Sequence, residues 1–231
     1  LVKPEREIGM RIMKIGFSPF LILASDSIII IALNAVLQHY GGESQGDTLI
    51  TAATIVQSYM LLITSPMLGV TGGSQPLISY NYGANRPDRI RKTVFCVLLL
   101  CIAFTSLMFL ISRAAPQYFV RIFTDNPQYR ELSVWGIKAF TLMIIPLSFQ
   151  YVIVDGLTAL GMTRLSLSLS VIRKTIYFSA TCLLPLFFAA KTAFYAEPAA
   201  DLASACISSV VFIFIYRKYL RGEGRLKDIR I

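Results

Sequence analysis

The sequence predicts an all-α integral membrane protein with six transmembrane helices, and three observations carry that prediction. The chain is 55% hydrophobic and 15% charged, with a mean hydropathy of +0.63. A soluble domain usually carries about 25% charged residues and cannot hide this much apolar surface. The apolar residues fall into long runs, close to the ~20 residues needed to cross a bilayer. The cations gather at the ends of those runs rather than on one polar face, so the net charge of +9 reports membrane topology. The lipid bilayer is the expected partner, and nucleic acid is not.

In chain order, the first span covers about 15–38, where Pro19 is placed to kink the helix. "HYGGESQGD" (39–47) is polar and Gly-rich and reads as a loop, with the lone histidine, His39, in no catalytic setting. The second span covers 49–80 and is interrupted at Ser65-Pro66. "GANRPDR" (83–89) is a turn in which Gly83 suits a positive φ and Pro87 suits the start of the next helix. The third span is 94–112. Residues 115–131 mix apolar and charged groups and predict a short helix at the interface. The fourth span is 133–160, with Pro146 as a bend, and "GMTR" (161–164) turns tightly into the fifth, 165–190. "KTAFYAE" (191–197) leads to the sixth, 198–219, and residues 220–231 form a basic tail. The whole chain is thus one six-span unit.

With the N-terminus in the cytoplasm, fifteen Lys and Arg lie on the inner side and five on the outer side, so the positive-inside rule places both termini in the cytoplasm. Cys96, Cys101, Cys182 and Cys206 lie in apolar runs without a CxxC or Cys/His cluster and read as buried packing residues, not a disulfide or zinc framework. No Walker A sequence, HExxH, Ser/His/Asp constellation or TVGYG-like filter occurs, so neither an enzyme, an ATP-driven pump nor a potassium-type channel is expected.

Ionisable groups within a span cost about 2.5–3.5 kcal/mol each on insertion scales, and each needs a reason. Asp26 lies near the middle of the first span between Ser25 and Ser27, with Ser18 a heptad before Ser25 and Asn34 two turns on. A carboxylate among hydroxyls can bind a proton or Na⁺, or serve as a structural carboxyl hydrogen-bonded to a neighbouring helix. In the fourth span Gln150, Tyr151 and Asp155 lie within about a turn and a half, and Tyr151 and Asp155 share a face. Asp155 is either part of a site or reaches interfacial water. Arg173 and Lys174 enter the fifth span by about 13 Å and either snorkel to the interface or pair with a carboxylate such as Asp155. The second span carries Thr51, Ser58, Ser65 and Gly72 at steps of seven, with Gln57 nearby. That stripe either packs helices closely or forms a hydrophilic wall. Gly72 and Gly73 also read as close-packing positions.

"GGSQPLISYNYGANRPDRIRKT" (72–93) resembles the second helix of the C-terminal lobe in multidrug and toxic compound extrusion (MATE) transporters, at Gln75, Pro76, Asn81, Tyr82, Gly83 and Ala84. "IGFSPFL", "ALGMTR" (159–164) and "AEPAAD" (196–201) resemble the starts or ends of the family's seventh, tenth and twelfth spans. The resemblance implies one six-helix lobe of a twelve-helix transporter in the plasma (inner) membrane, with a missing N-terminal lobe or a second copy as partner. It implies a secondary antiporter that exchanges Na⁺ or H⁺, with no other cofactor, for small amphipathic, often cationic, drugs or toxic compounds. Asp26 falls within about one position of the acidic residue that some members carry in the seventh span, which makes it the candidate for the coupling cation, including Na⁺. Asp155 stands about a turn and a half beyond the acid of the tenth span, whose place Phe149 or Gln150 takes. Asn34, Gln57, Gln150, Tyr151 and Arg173 are candidates for lining the cavity. The alternatives are a lipid-linked oligosaccharide flippase of related architecture, which needs cations in the cavity, and a non-transporting fragment. With Leu1 at its start, the chain is expected to be a fragment or a half-transporter.

Overall fold

The computed structural model describes residues 6–217, and of 6–8, 11–19, 21–23 and 43–44 the backbone alone. The side chains of Ser18 and Pro19, and the tail at 220–231, therefore lie outside the described residues. The described residues are helical apart from short turns. Helix α1 spans Arg6–Gly83 and breaks once, at Gly42 (φ 63°, ψ −172°). α2 is Pro87–Ala114, α3 Pro116–Val120, α4 Pro127–Phe140 and α5 Ile144–Ala159. α6 is Thr163–Phe187 and α7 Ala196–Ile215. 3₁₀ turns at Thr141–Met143 and Ala190–Tyr195 join α4 to α5 and lead into α7.

Five stretches among the described residues are long and apolar enough to cross a membrane: Gln45–Gly83, Pro87–Ala114, Pro127–Ala159, Thr163–Phe187 and Ala190–Ile215. They correspond to the second to sixth expected spans. The first limb of α1, 6–41, covers the first expected span and is helical along its backbone.

Several local expectations change. The loop at 39–47 is instead helix on both sides of a single-residue break, because Gly42 takes up the whole turn in a backbone region that essentially only glycine reaches. Pro66 does not interrupt α1, whose dihedrals stay helical past it. Pro146 acts as expected. It has no N–H to give Leu142, its ring crowds that carbonyl, and the helix tightens to 3₁₀ over Thr141–Met143. The short helix expected within 115–131 is α3. Pro87 opens α2 with Asp88 in its first turn, where a carboxylate meets the positive end of the helix dipole.

The turn after α1 is a Schellman cap: Arg86 N–H donates to the Asn81 carbonyl (2.9 Å) and Asn85 N–H to Tyr82 (3.0 Å). The left-handed position is Asn85 (φ 53°), not Gly83 as expected, because the cap falls two residues later. The end of α5 repeats the motif around Gly161 (φ 83°), with Met162 N–H donating to Leu157 (2.9 Å) and Gly161 N–H to Thr158 (3.0 Å). Ser79 Oγ donates to the Ala159 carbonyl (2.9 Å), and Thr158 meets Ser166 at 2.6 Å. These caps thus lie at one end of the bundle, over a cluster of Ile78, Ile90, Leu157, Leu160, Met162 and Ile215.

The main core winds around α1, with Leu33 and Leu37 on the first limb and Leu49, Val56, Tyr59, Ile63 and Met67 on the second. Beyond Ile90 near its start, α2 buries only a narrow stripe, Cys101, Thr105, Met108 and Ser112, and turns Phe95, Leu99, Leu107 and Leu110 outward. Cys101 is buried as expected, but Cys96 and Cys206 are exposed. Lipid tails are as apolar as a core, so such residues need no protein neighbour. The stripe Thr51, Ser58, Ser65 and Gly72 also looks outward: Thr51 and Ser65 are exposed, and Thr51 and Ser58 bond to carbonyls one turn back. A Cβ on Gly72 or Gly73 would meet nothing within 4 Å, so neither marks a close approach.

Candidate functional site

The site is set by how α7 enters the bundle. The 3₁₀ turn Ala190–Tyr195 carries Phe194, 1% exposed, against Trp135, Phe140 and the face of Gly136. A Cβ on Gly136 would lie 3.0 Å from the Phe194 ring and 2.8 Å from Val56, so only glycine lets the turn seat here. From that anchor α7 starts inside the bundle, and its first turn is buried rather than wet. Glu197, Asp201, Ser204 and Ser208 follow at steps of four, three and four. They share one face, and all are buried.

α6 lies opposite with a matching buried stripe that includes Ser166, Arg173, Tyr177 and Thr181. Arg173 Nε donates to Asp201 Oδ1 at 3.0 Å, and its Nη2 donates to the same oxygen at 2.7 Å and to Glu197 Oε1 at 2.5 Å. The Tyr177 hydroxyl is a further side-chain partner of Glu197. Asp201 is 0% exposed, and its Oδ2 has no hydrogen-bond partner among the described residues. Lys174, the next residue on α6, turns the other way and pairs with Asp26 on the first limb of α1.

A cavity of about 250 Å³ opens beside these pairs. Asp26, Gln150, Tyr151, Asp155, Arg173 and Lys174 line it, together with Leu68, Val154 and Ser170. Asp155 has the Thr71 and Gln75 side chains of α1 as hydrogen-bonding neighbours. Gln150 accepts from Ser208, which ties α5 to α7. The neighbourhood therefore holds four carboxylates, Asp26, Asp155, Glu197 and Asp201, against two cations, Arg173 and Lys174.

Of the residues singled out in the sequence, Asp26, Asp155, Gln150, Tyr151 and Arg173 meet at this cavity. Asn34 and Gln57 are half-buried and do not line it. Arg173 neither snorkels nor pairs with Asp155, because α7 brings Glu197 and Asp201 to its mid-helix position first. Lys174 does not snorkel either. Of the motif at 75–83, Gln75 reaches the site, Pro76 is exposed and Tyr82 packs at the bundle end. Asn81 bonds through Nδ2 to the Leu77 carbonyl (2.8 Å). Sequence reasoning missed Glu197 and Asp201. Their i, i+4 spacing, continued by Ser204 and Ser208, was a legible polar stripe, but acids in a first helical turn are ordinary dipole partners.

The comparisons with known proteins agree with this architecture. The MatE family model matches residues 20–183. Multidrug export protein MepA of Staphylococcus aureus (strain NCTC 8325 / PS 47) is 26% identical over 167 residues, which cover 71% of this chain and 35% of MepA. A probable multidrug resistance protein NorM of Geobacillus kaustophilus is 26% identical over 136 residues, 59% of this chain and 30% of that protein. Among solved structures, an inward-facing MATE family transporter of the MOP superfamily superposes with a TM-score of 0.81 at 15% identity, over 99% of this chain and 51% of that one. A MATE structure in the bent conformation gives a TM-score of 0.82 at 14% identity, over 95% of this chain and 48% of that one. The match spans about a third of the length of these curated relatives and about half that of the solved transporters. Since the family model covers well over half of its residues, the chain belongs to the MatE family.

Proposed function

We propose that the chain is one six-helix lobe of a cation-coupled antiporter that exports amphipathic, often cationic, compounds across the plasma membrane in exchange for Na⁺ or H⁺. The observation that carries this reading is a cavity inside an apolar helix bundle, beside four carboxylates and only two cations. Charges at membrane depth are costly and mark ion or substrate pathways. A surplus of negative charge there is what a site for exchanging cations needs. The relatives named for multidrug export and resistance supply the substrate class. A flippase for anionic lipid-linked sugars would need unpaired cations in the cavity, whereas Arg173 and Lys174 are both engaged by carboxylates.

Asp26 and Asp155 are the groups that take the coupling cation. The Asp26 side chain is 44% exposed at the cavity, and Asp155 faces the same space without a cationic partner of its own among the described residues. Cation binding favours the outward-facing state to the extent that this state binds the cation more tightly. Gradient energy then drives release of the compound outside. A second lobe, from further chain or a second copy, closes the other wall of the pathway. It meets the outward-looking Thr51–Ser58–Ser65 stripe. The bundle end carrying Arg86, Arg89, Lys92 and Arg164 faces the cytoplasm.

The test is export by the complete protein in proteoliposomes, with Na⁺ and pH gradients imposed separately. One of the two gradients is expected to accelerate export of a lipophilic cation at least tenfold. Equal rates with and without each gradient would overturn the coupled reading.

A further inference from the structure

Asp201 stands apart from the other carboxylates of the network. Asp26 has Lys174, Asp155 has Thr71 and Gln75, and Glu197 has Arg173 and Tyr177. Both guanidinium bonds to Asp201 converge on the single oxygen Oδ1, leaving Oδ2 fully enclosed and without a partner among the described residues. A buried carboxylate oxygen with nothing donating to it is a high-energy arrangement. The charges do not close either, since the one guanidinium faces two carboxylates, Glu197 and Asp201, none of them more than a tenth exposed. The titratable groups facing Asp201 are Arg173, Lys174 and Tyr177 from α6, Tyr151 from α5, and Glu197 on its own helix. Lys174 is already engaged by Asp26.

One added proton on this carboxyl closes the charges, since Glu197 alone then balances Arg173, and it lowers the cost of the enclosed oxygen, because a neutral carboxyl is cheaper to bury than a carboxylate. No group of three or more His, Cys, Asp or Glu that could hold a metal ion occurs among the described residues, and the Arg173 donors reach Oδ1 and leave the enclosed Oδ2 to itself. A proton, which needs one oxygen and no coordination shell, fits the space. We propose that Asp201 carries a proton on Oδ2 in this arrangement, and that loss of this proton is exchanged for a cationic substrate entering the neighbouring cavity.

The step balances. The O–H bond at Oδ2 breaks, its electron pair stays on the carboxylate, and the proton leaves past Arg173 and Tyr151, which both line the cavity. The Arg173–Glu197–Asp201 group goes from neutral to one negative charge. An organic cation in the cavity restores neutrality. Proton and substrate thus compete for one charge without sharing one position. Arg173 is the wall between them, bonded to Asp201 on one side and facing the cavity on the other. The exchange half of this inference rests on the transport reading above, whereas the proton itself does not.

The experiment therefore has two arms, both on the complete protein. Infrared spectroscopy at neutral pH compares wild type with Asp201→Asn. The expected difference is loss of a protonated-carboxyl C=O stretch, returned at a shifted frequency by Asp201→Glu. A difference made of carboxylate stretches instead would show Asp201 ionised and overturn the proposal. If Asp201→Asn does not fold, Asp201→Glu and wild type are compared with ¹³C-labelled aspartate at neutral pH: a label-shifted carboxyl C=O band present in wild type and absent from Asp201→Glu is expected, and the same label-shifted band in both would overturn the proposal. The second arm measures uptake of tetraphenylphosphonium into inside-out proteoliposomes under a pH gradient. Asp201→Asn, which fixes the neutral form, is expected to lose at least tenfold of the gradient-driven rate and to bind tetraphenylphosphonium more weakly, with no dependence of that binding on pH. A gradient-driven rate within twofold of wild type would overturn the exchange. Wild type that moves no tetraphenylphosphonium under any gradient would strike the transport reading, with the infrared arm still deciding the proton.

Discussion

Arg173 and Lys174 are neighbours in sequence, yet they serve two different kinds of ion pair. Successive residues on an α-helix point about 100° apart. Arg173 therefore faces α7 and enters a network whose side chains are 9%, 10% and 0% exposed, while Lys174 faces the first limb of α1 and an Asp26 that is 44% exposed. The buried group fixes α6 against α7. The exposed pair sits at the mouth of the cavity, where water and a cation can compete for it. Burial thus separates a group that water does not reach from a pair that it does.

Removing the buried cation is the strongest way to break that contrast. Arg173→Met leaves the buried Glu197 without its counter-charge and Asp201 without its hydrogen-bond donor, and the expected loss is about 3–5 kcal/mol. Thermal unfolding of the complete protein in detergent reads this as a large drop in midpoint. A variant as stable as the parent would mean that the guanidinium does not hold these acids. A smaller effect is expected at the turn that brings Asp26 towards Lys174. Gly42→Ala forces a Cβ into the φ 63°, ψ −172° conformation, at a cost of about 1–3 kcal/mol. The strain should appear as faster proteolysis near residue 42 with α2–α7 still protected, and an unchanged digestion pattern would argue against the break. Lys174→Met should cost least, about 0–1 kcal/mol, because its partner is half in water. It should change the dependence of transport on cation concentration more than it changes the unfolding midpoint. The reverse pattern would make the Lys174–Asp26 pair structural.

How much of this was legible depended on whether the signal was local. Pro87, Pro146 and the apolar runs act on their own turns of chain, so the helix starts, the 3₁₀ bend and the crossings could be read directly. The break at Gly42 was harder. "HYGG" looks like a loop, and only the packing of Leu33 and Leu37 against Leu49 and Val56 shows that one glycine suffices. The cap at Asn85 rather than Gly83 depended on which carbonyls the chain could still reach. At the site, Asp26, Asp155, Gln150, Tyr151 and Arg173 announced themselves as polar residues in oil. Their partners did not, because partner choice is set by which faces α6 and α7 turn to each other. Gly136 and Phe194 control how α7 enters the bundle, and neither looks functional in the sequence.

The central claim is that carboxylates at the cavity couple a cation gradient to export. The most direct test is gradient-driven uptake of a lipophilic cation into inside-out vesicles, comparing the complete wild-type protein with the Asp26→Asn, Asp155→Asn double variant at equal amounts in the membrane. The account predicts that the double variant still equilibrates the compound but concentrates it far less than wild type under the gradient that drives wild type. Accumulation as steep as that of wild type would contradict it.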